Sequence, residues 1–183
     1  MKRDGANISI WQDSIENYAA EIFSKREIYD VVVVGGGISG VSTSQLLQKN
    51  GKNCLLAEAQ YLGFGTTSGT TAHLNTLVEL SYDEIEKKYS KESAALVLKA
   101  TRDAISFIES NVTEYGLDCG FTRREGFIFS QEDEETKKLE TMYEASLRAG
   151  CDVVYSDEIQ IPVPFQKALR FKDQGQIHPI KYI

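Results

Sequence analysis

Cysteine and histidine are scarce in this chain of 183 residues, with three of the first and two of the second. Cys54, Cys119 and Cys151 form no CxxC pair and leave one thiol over, which argues against a disulfide framework. The pattern fits reduced, buried thiols in a cytoplasmic protein. With thiols scattered this widely, His73 and His178 cannot complete a metal site. No apolar run approaches the length of a membrane span, and the first thirty or so residues carry no apolar stretch followed by a small-residue cleavage site. Positive charge is also short. The net charge of −7 argues against a general nucleic-acid binder, but not against an anionic cofactor held locally by backbone N–H groups.

What is present is a globular composition, 42% apolar and 26% charged, able to bury a core. Trp11, Ile15, Tyr18, Ile22 and Phe23 stand at helical spacing. They predict an amphipathic helix over about 12–24, packed on the body of the protein or serving as a partner-binding arm. The β-branched run Ile28–Val34 then suits a central parallel strand. Gly35-Gly36-Gly37 ends it, and a helix is expected from Ile38 to Gln48, closed by Lys49-Asn50-Gly51. Cys54–Ala57 is a second short strand, completing a βαβ unit.

Downstream, a Gly/Ser/Thr-rich loop runs to Thr71, followed by expected helices over 72–80, 82–89 and 92–115. Phe121–Phe129 alternates around Glu125-Gly126 and reads as a hairpin. A helix over 133–149 is capped by Gly150, and strands are expected over 152–155 and 168–171. Glu132-Asp133-Glu134-Glu135 reads as a helix amino terminus whose acids complement the dipole. Pro179 reads as the first residue of a further helix, of which Ile180–Ile183 is the opening turn. One turn cannot bury a face, so the expectation is an amino-terminal fragment of something longer.

The chemistry lies in Gly35-Gly36-Gly37-Ile38-Ser39-Gly40, a GxGxxG between strand and helix. Gly35 allows the tight turn, Gly37 lets backbone approach a pyrophosphate, and Gly40 lets the helix pack closely on the strand. The helix amino terminus offers unpaired N–H groups to the phosphates. Glu58, at the end of the second strand, is placed to accept hydrogen bonds from adenosine ribose hydroxyls and to repel a 2′-phosphate. Strand, glycines, helix, strand and acid in register point to dinucleotide binding. A plain NAD dehydrogenase would enter its second βαβ half soon afterwards. Here Gly63–His73 follows instead, a loop whose hydroxyl and N–H groups either wrap a pyrophosphate and flavin or simply make a polar connection.

Val31–Gly40, Leu55–Ala59 and Gly65–His73 resemble the amino-terminal region of the D-amino-acid oxidase/glycine oxidase (DAO) superfamily of FAD enzymes. Gly65–His73 and Gln176–Pro179 are most similar to a branch that often carries a carboxyl-terminal Rieske domain. The resemblance implies an α/β fold, a Rossmann-like, DAO-type FAD-binding βαβ unit with part of an α+β substrate domain. It implies a helical extension over 1–27, the FAD-binding unit with its following loop and helix over 28–80, and helices, hairpin and strands of the interleaved domains over 81–183. Carried onto this sequence, the FAD contacts are Gly35, Gly37, Ile38, Ser39, Gly40, Glu58, Ala59, Thr66, Thr67, Ser68, Thr70 and Thr71, with His73 near the flavin edge.

The expected reaction is hydride transfer from an amine, an amino acid or a related small molecule to FAD, with an electron acceptor the sequence does not name. The alternatives are an NAD-dependent dehydrogenase and a nucleotide-binding module without turnover. A Rieske 2Fe-2S centre would require a longer chain, since the CxH and CxxH ligand pairs are absent. Arg123 and Arg124 are either a substrate-carboxylate site, with at most one pointing the right way, or a solvated pair. His178 is a weaker active-site candidate, and Cys54 and Cys151 read as inert core thiols.

Overall fold

A computed structural model describes residues 8–12, 28–159 and 161–183. The helix expected over 12–24 lies almost wholly outside the described residues. The chain divides into two compact units, the first made of residues up to Ala72 with Leu117–Gly120 and Ile177–Ile183, the second of His73–Gly116 and Phe121–Gln176.

In the first unit, strand β1 (Val31–Val34), helix α1 (Ile38–Lys49) and strand β2 (Cys54–Ala57) form the βαβ motif. The strands pair in parallel, Val31 opposite Cys54 through Val34 opposite Ala57. β1 is shorter than the apolar run because Asp30 turns its carboxylate back to accept from the Asn53 N–H at 2.8 Å. It is also not covered on both faces. Val33 faces α1, whereas Val34 is 85% exposed, because among the described residues the sheet has only these two strands and one helix. Gly40 sets the helix–strand distance. A Cβ there would stand 1.9 Å from the Gly35 carbonyl oxygen, so only glycine lets the first turn of α1 lie this close.

The later segments of this unit are fastened by backbone bonds. The Ile177 N–H donates to Ala72 O, and the His178 N–H donates to Cys119 O at 2.8 Å. His178 then caps the one-turn helix α5 (Pro179–Tyr182), its imidazole Nδ1 accepting from the Lys181 N–H at 3.3 Å, with Pro179 at the first helical position.

The second unit is a four-stranded antiparallel sheet with three helices. Strand β6 (Lys167–Gln176) is its axis. One edge of β6 pairs with β4 (Thr122–Ser130); the other pairs with β5 (Val153–Tyr155) and, further along, with β3 (His73–Leu74). Helices α2 (Tyr82–Lys88), α3 (Lys91–Tyr115) and α4 (Asp133–Ala149) bury Tyr82, Leu98 and Leu139 in one core with Leu169 and Phe171 of β6. Full burial of side chains of this size contributes about 1.5–3 kcal/mol each.

Local signals end these helices where the sequence places them. Gly116 (φ 62°) and Gly150 (φ 98°) take the left-handed C-cap conformation. Glu135 turns back to accept from the Gln131 and Glu132 N–H groups, so the acidic run is a helix cap.

Two expectations fail in this unit. Residues 72–80 are not helical, since Ala72 has φ 61° and the Thr76 N–H donates to the buried Gln174 Oε1 at 2.8 Å. Phe121–Phe129 is not a hairpin either. β4 runs straight through Glu125-Gly126, and the irregularity is a bulge on β6, where Asp173 takes φ 64°. Gly126 is needed for close packing rather than for a turn: a Cβ would lie 3.1 Å from Gln174 Cγ.

Two outcomes follow from this geometry. Gly40→Ala forces carbon against a backbone oxygen and should cost about 3 kcal/mol or more in urea unfolding. Gly65→Ala, where nothing lies within 4 Å and φ is not positive, should be neutral within about 0.5 kcal/mol. For His178, burial first and the Lys181 ammonium second hold the imidazole below its usual value of 6.5, so it is neutral at pH 7 and can accept at Nδ1. The cap's contribution is therefore intact above about pH 6.5 and is lost as pH falls from there towards the lower folded value. Trp11, the one tryptophan of the chain, sits edge-on to His178 at 5.0 Å between ring centroids. Its emission should change on acidification with a midpoint below 6.5, and His178→Gln should abolish that step.

Candidate dinucleotide site

The site is built where β1, α1 and β2 converge. Gly37 is the N-cap of α1 and has no side chain to cap it, so the N–H groups of Ile38, Ser39 and Gly40 have no partner within the helix. The Val41 N–H is the first to close an intrahelical bond, to Gly37 O. The Ile38 N–H is taken by Thr67 Oγ1 at 3.0 Å, and a Cβ on Gly37 would also stand 3.0 Å from that hydroxyl. Glycine at 37 thus keeps open a concave patch of backbone donors at the positive end of a twelve-residue helix.

Glu58 follows directly on β2 and lies exposed. Its Oε2 accepts from the Gly36 N–H at 2.6 Å and its Oε1 from the Gln60 N–H at 2.9 Å. These backbone bonds, that from Gly36 first, hold the carboxyl below the ordinary carboxylate range, so it is ionised at neutral pH. A carboxylate has about four acceptor positions; the Gly36 and Gln60 N–H groups, and more weakly that of Ala59, use part of them, and its exposed side can face a ligand hydroxyl. A helix start where Ser39 and Gly40 keep N–H groups with no partner within the helix, and an ionised, exposed carboxylate beside it, are the donors and the acceptor an adenine dinucleotide requires, and the residues fit such a group.

Gly36 was given no task by the motif alone. Besides holding Glu58, its carbonyl accepts from the Gly63 N–H at 2.8 Å, and a Cβ would run into Leu62 Cδ2. Gly63 itself, at φ 74°, leaves no room for a side chain beside Ile180 and Ile183. The only signal in the sequence was a third glycine in a row.

The loop residues divide by role. Thr67 meets α1. Ser68 is fully buried, its hydroxyl donating within the loop towards the Phe64 and Gly65 carbonyls, so it supports the loop rather than facing a ligand. Thr70 Oγ1 accepts from the Ala72 N–H, while Thr66 and Thr71 are exposed, as are Ser39 and Ala59. His73 opens the second unit as part of β3, opposite Gln176, and is exposed. Trp11 reads in the sequence as part of an amphipathic stripe and Gln12 only as the start of its helix, yet both bond to the loop. The Trp11 indole N–H donates to Thr70 O at 2.7 Å, and the Gln12 amide donates to Ser68 Oγ at 2.9 Å and Tyr61 OH at 3.2 Å.

The other candidates have structural partners. Arg123 bonds Glu109 through two nitrogens, the shorter at 2.5 Å, and also reaches Asp173 O, fastening β4 to α3. Arg124 is exposed. Cys119 and Cys151 are buried, and burial pushes the Cys151 thiol up to about 11, which leaves it unreactive at neutral pH. Among the described residues, no group of three or more His, Cys, Asp or Glu side chains is placed to hold a metal ion, and no helix is long and apolar enough to cross a membrane.

A Bacillus subtilis (strain 168) protein, YhfW, whose name describes a Rieske 2Fe-2S iron-sulfur protein, is 31% identical over 173 residues, covering 94% of this chain and 34% of its own length. Gamma-glutamylputrescine oxidoreductase of Escherichia coli K12 is 27% identical over 157 residues, covering 82% of this chain and 37% of its own. The chain therefore spans about a third of the length of these curated relatives. The crystal structure of glycine oxidase from Geobacillus kaustophilus superposes with a TM-score of 0.69 at 21% identity, over 84% of this chain and 42% of that one, and so shares the fold. Residues 30–183 match the family described as FAD dependent oxidoreductase (DAO), and the chain belongs to that family.

Proposed function

We propose that this chain supplies the FAD-binding βαβ unit, and part of the substrate domain, of an oxidoreductase that removes hydride from a carbon next to an amine or amino-acid-like nitrogen. The observation that carries the reading is the Glu58 carboxylate, ionised, exposed and held by the Gly36 N–H beside the glycine-capped start of α1. In its relatives' names the substrates are a glutamylated polyamine and glycine, both nitrogen-bearing molecules, which supports this donor class.

Bound FAD would supply the redox chemistry, taking two electrons and a proton's worth of hydrogen from the substrate. The chain's residues bind and orient it. Gly37, Ser39 and Gly40 would present backbone to the pyrophosphate, with Ile38 beside them giving its N–H to Thr67 and the exposed Thr66 and Thr71 on the same loop. Glu58, with Ala59 next to it, receives the adenosine ribose, and its negative charge disfavours a 2′-phosphate. Gly35 makes the turn that brings strand to helix. Ser68 and Thr70 hold the loop's shape, and His73 is assigned to the flavin's edge from the resemblance alone.

The first test is the visible absorption spectrum of the purified chain with and without added FAD, with NAD as competitor. A flavin band that survives gel filtration and resists NAD is the expected result; a colourless protein that ignores FAD but binds NAD would sink the reading. Glu58→Gln removes the charge and should weaken FAD binding about tenfold, the difference between a charged and a neutral hydrogen bond of ~1.4 kcal/mol. An unchanged dissociation constant by flavin fluorescence would remove Glu58 from the site.

A further inference from the structure

The short turn Ile8–Gln12 stands far upstream of the βαβ unit in sequence, yet its polar side-chain atoms are directed at the loop that follows β2. The turn is self-contained, with the Gln12 N–H donating to Ser9 O and the Ser9 N–H to Gln12 Oε1, both at 3.0 Å. That leaves the Gln12 Nε2 group to donate to Ser68 Oγ and Tyr61 OH, and the Trp11 indole to donate to Thr70 O. Three loop positions, Tyr61, Ser68 and Thr70, are thus held from outside the loop by two adjacent residues. Between the last two lies Gly69, and immediately before Ser68 lies Thr67, whose hydroxyl meets α1 at Ile38. The Trp11 ring also lies edge-on against His178, the cap of α5, and α5 supplies the Ile180 that crowds Gly63.

The loop is anchored at its start, where the Gly63 N–H donates to Gly36 O, and at Thr67, which accepts from the Ile38 N–H. Past Thr67 its own backbone bonds, Ser68 N–H to Gly63 O and Gly69 N–H to Thr66 O, only make compact turns, and the bonds from Trp11 and Gln12 fall on this stretch. Ordering such a loop costs about 1–2 kcal/mol of backbone entropy per residue, and more at Gly63, Gly65 and Gly69. A ligand that had to order this loop on binding would bear that cost; a loop already held does not.

We propose that Trp11 and Gln12 are positioning residues for FAD: they pre-order the loop from Gly63 to Thr71 so that Thr67 and its neighbours meet the start of α1 before the cofactor arrives. The inference rests on the FAD-binding reading above and extends it to residues outside the dinucleotide motif.

The test compares the full chain with Trp11→Phe, which keeps a ring against His178 but removes the indole N–H, and with Gln12→Leu, which leaves the one tryptophan in place as a reporter. FAD dissociation constants are read by flavin fluorescence, amide hydrogen exchange by mass spectrometry without FAD, and unfolding midpoints in urea. Each variant should bind FAD about tenfold more weakly, the loss of one neutral hydrogen bond and of pre-ordering. Exchange should rise in the peptides spanning 63–72 and stay unchanged over α1 and α3. In Gln12→Leu the tryptophan emission should also shift to longer wavelength.

If the parent chain binds FAD and both variants bind it equally well, the positioning role is overturned while the FAD reading stands. If exchange rises across the whole chain together with a fall in the unfolding midpoint, the residues act on global stability and the proposal fails. A parent chain that ignores FAD but binds NAD overturns both.

Discussion

The backbone of Gly36 is the point on which the site depends. Its N–H holds the Glu58 carboxylate and its carbonyl holds the Gly63 N–H. One peptide unit thus joins the turn after β1, the residue after β2 and the start of the Ser/Thr loop. A side chain at 36 would displace Leu62, and so the residue that makes both bonds must also be the smallest. The same economy explains why Glu58 is strongly ionised while exposed. Backbone donors stabilise it, that from Gly36 first, and among the described residues no lysine or arginine is paired with it, so the charge remains available to a ligand.

The parts legible in the sequence were those fixed by neighbours in the chain. Gly35–Gly40, the glycine caps at 116 and 150, the acidic start of α4 and Pro179 at the head of α5 each act within one or two turns of themselves, and each appears where its residues place it. The family resemblance followed from the same short-range motifs. What was illegible depended on partners far away. Residues 72–80 have composition suited to a helix, but Thr76 is bonded to Gln174, nearly a hundred positions on. Glu125-Gly126 has the look of a turn, but its meaning is decided by Asp173 on the facing strand. Trp11 looks like the start of an amphipathic stripe and Gln12 like the first residue of its helix, and only their long-range hydrogen bonds give them another role.

Candidate site residues followed the same rule. The motif identified Gly37, Gly40 and Glu58 because their tasks are set by the local βαβ geometry. Loop hydroxyls of similar sequence character received different tasks: Thr67 meets the helix, Ser68 is buried as a strut, and Thr66 lies exposed. Nothing in a run of threonines and serines distinguishes these roles before the backbone is folded. Arg123 likewise is committed to Glu109 by a register that composition does not reveal.

The placement of β6 bears on the order in which the chain acquires structure. Its ten residues are the shared partner of β3, β4 and β5, and the segment immediately after it belongs to the other unit. Neither unit can therefore complete its hydrogen bonding until the stretch from Lys167 onward has emerged from the ribosome. The earlier strands of the second unit meanwhile have no edge to pair with, and the turn and loop of the first lack α5. Pairings of such long sequence separation are slow to form and leave strand edges open in the interim. During synthesis, then, the two units must wait for the same late stretch of polypeptide, and an interruption before it would leave both unfinished at once.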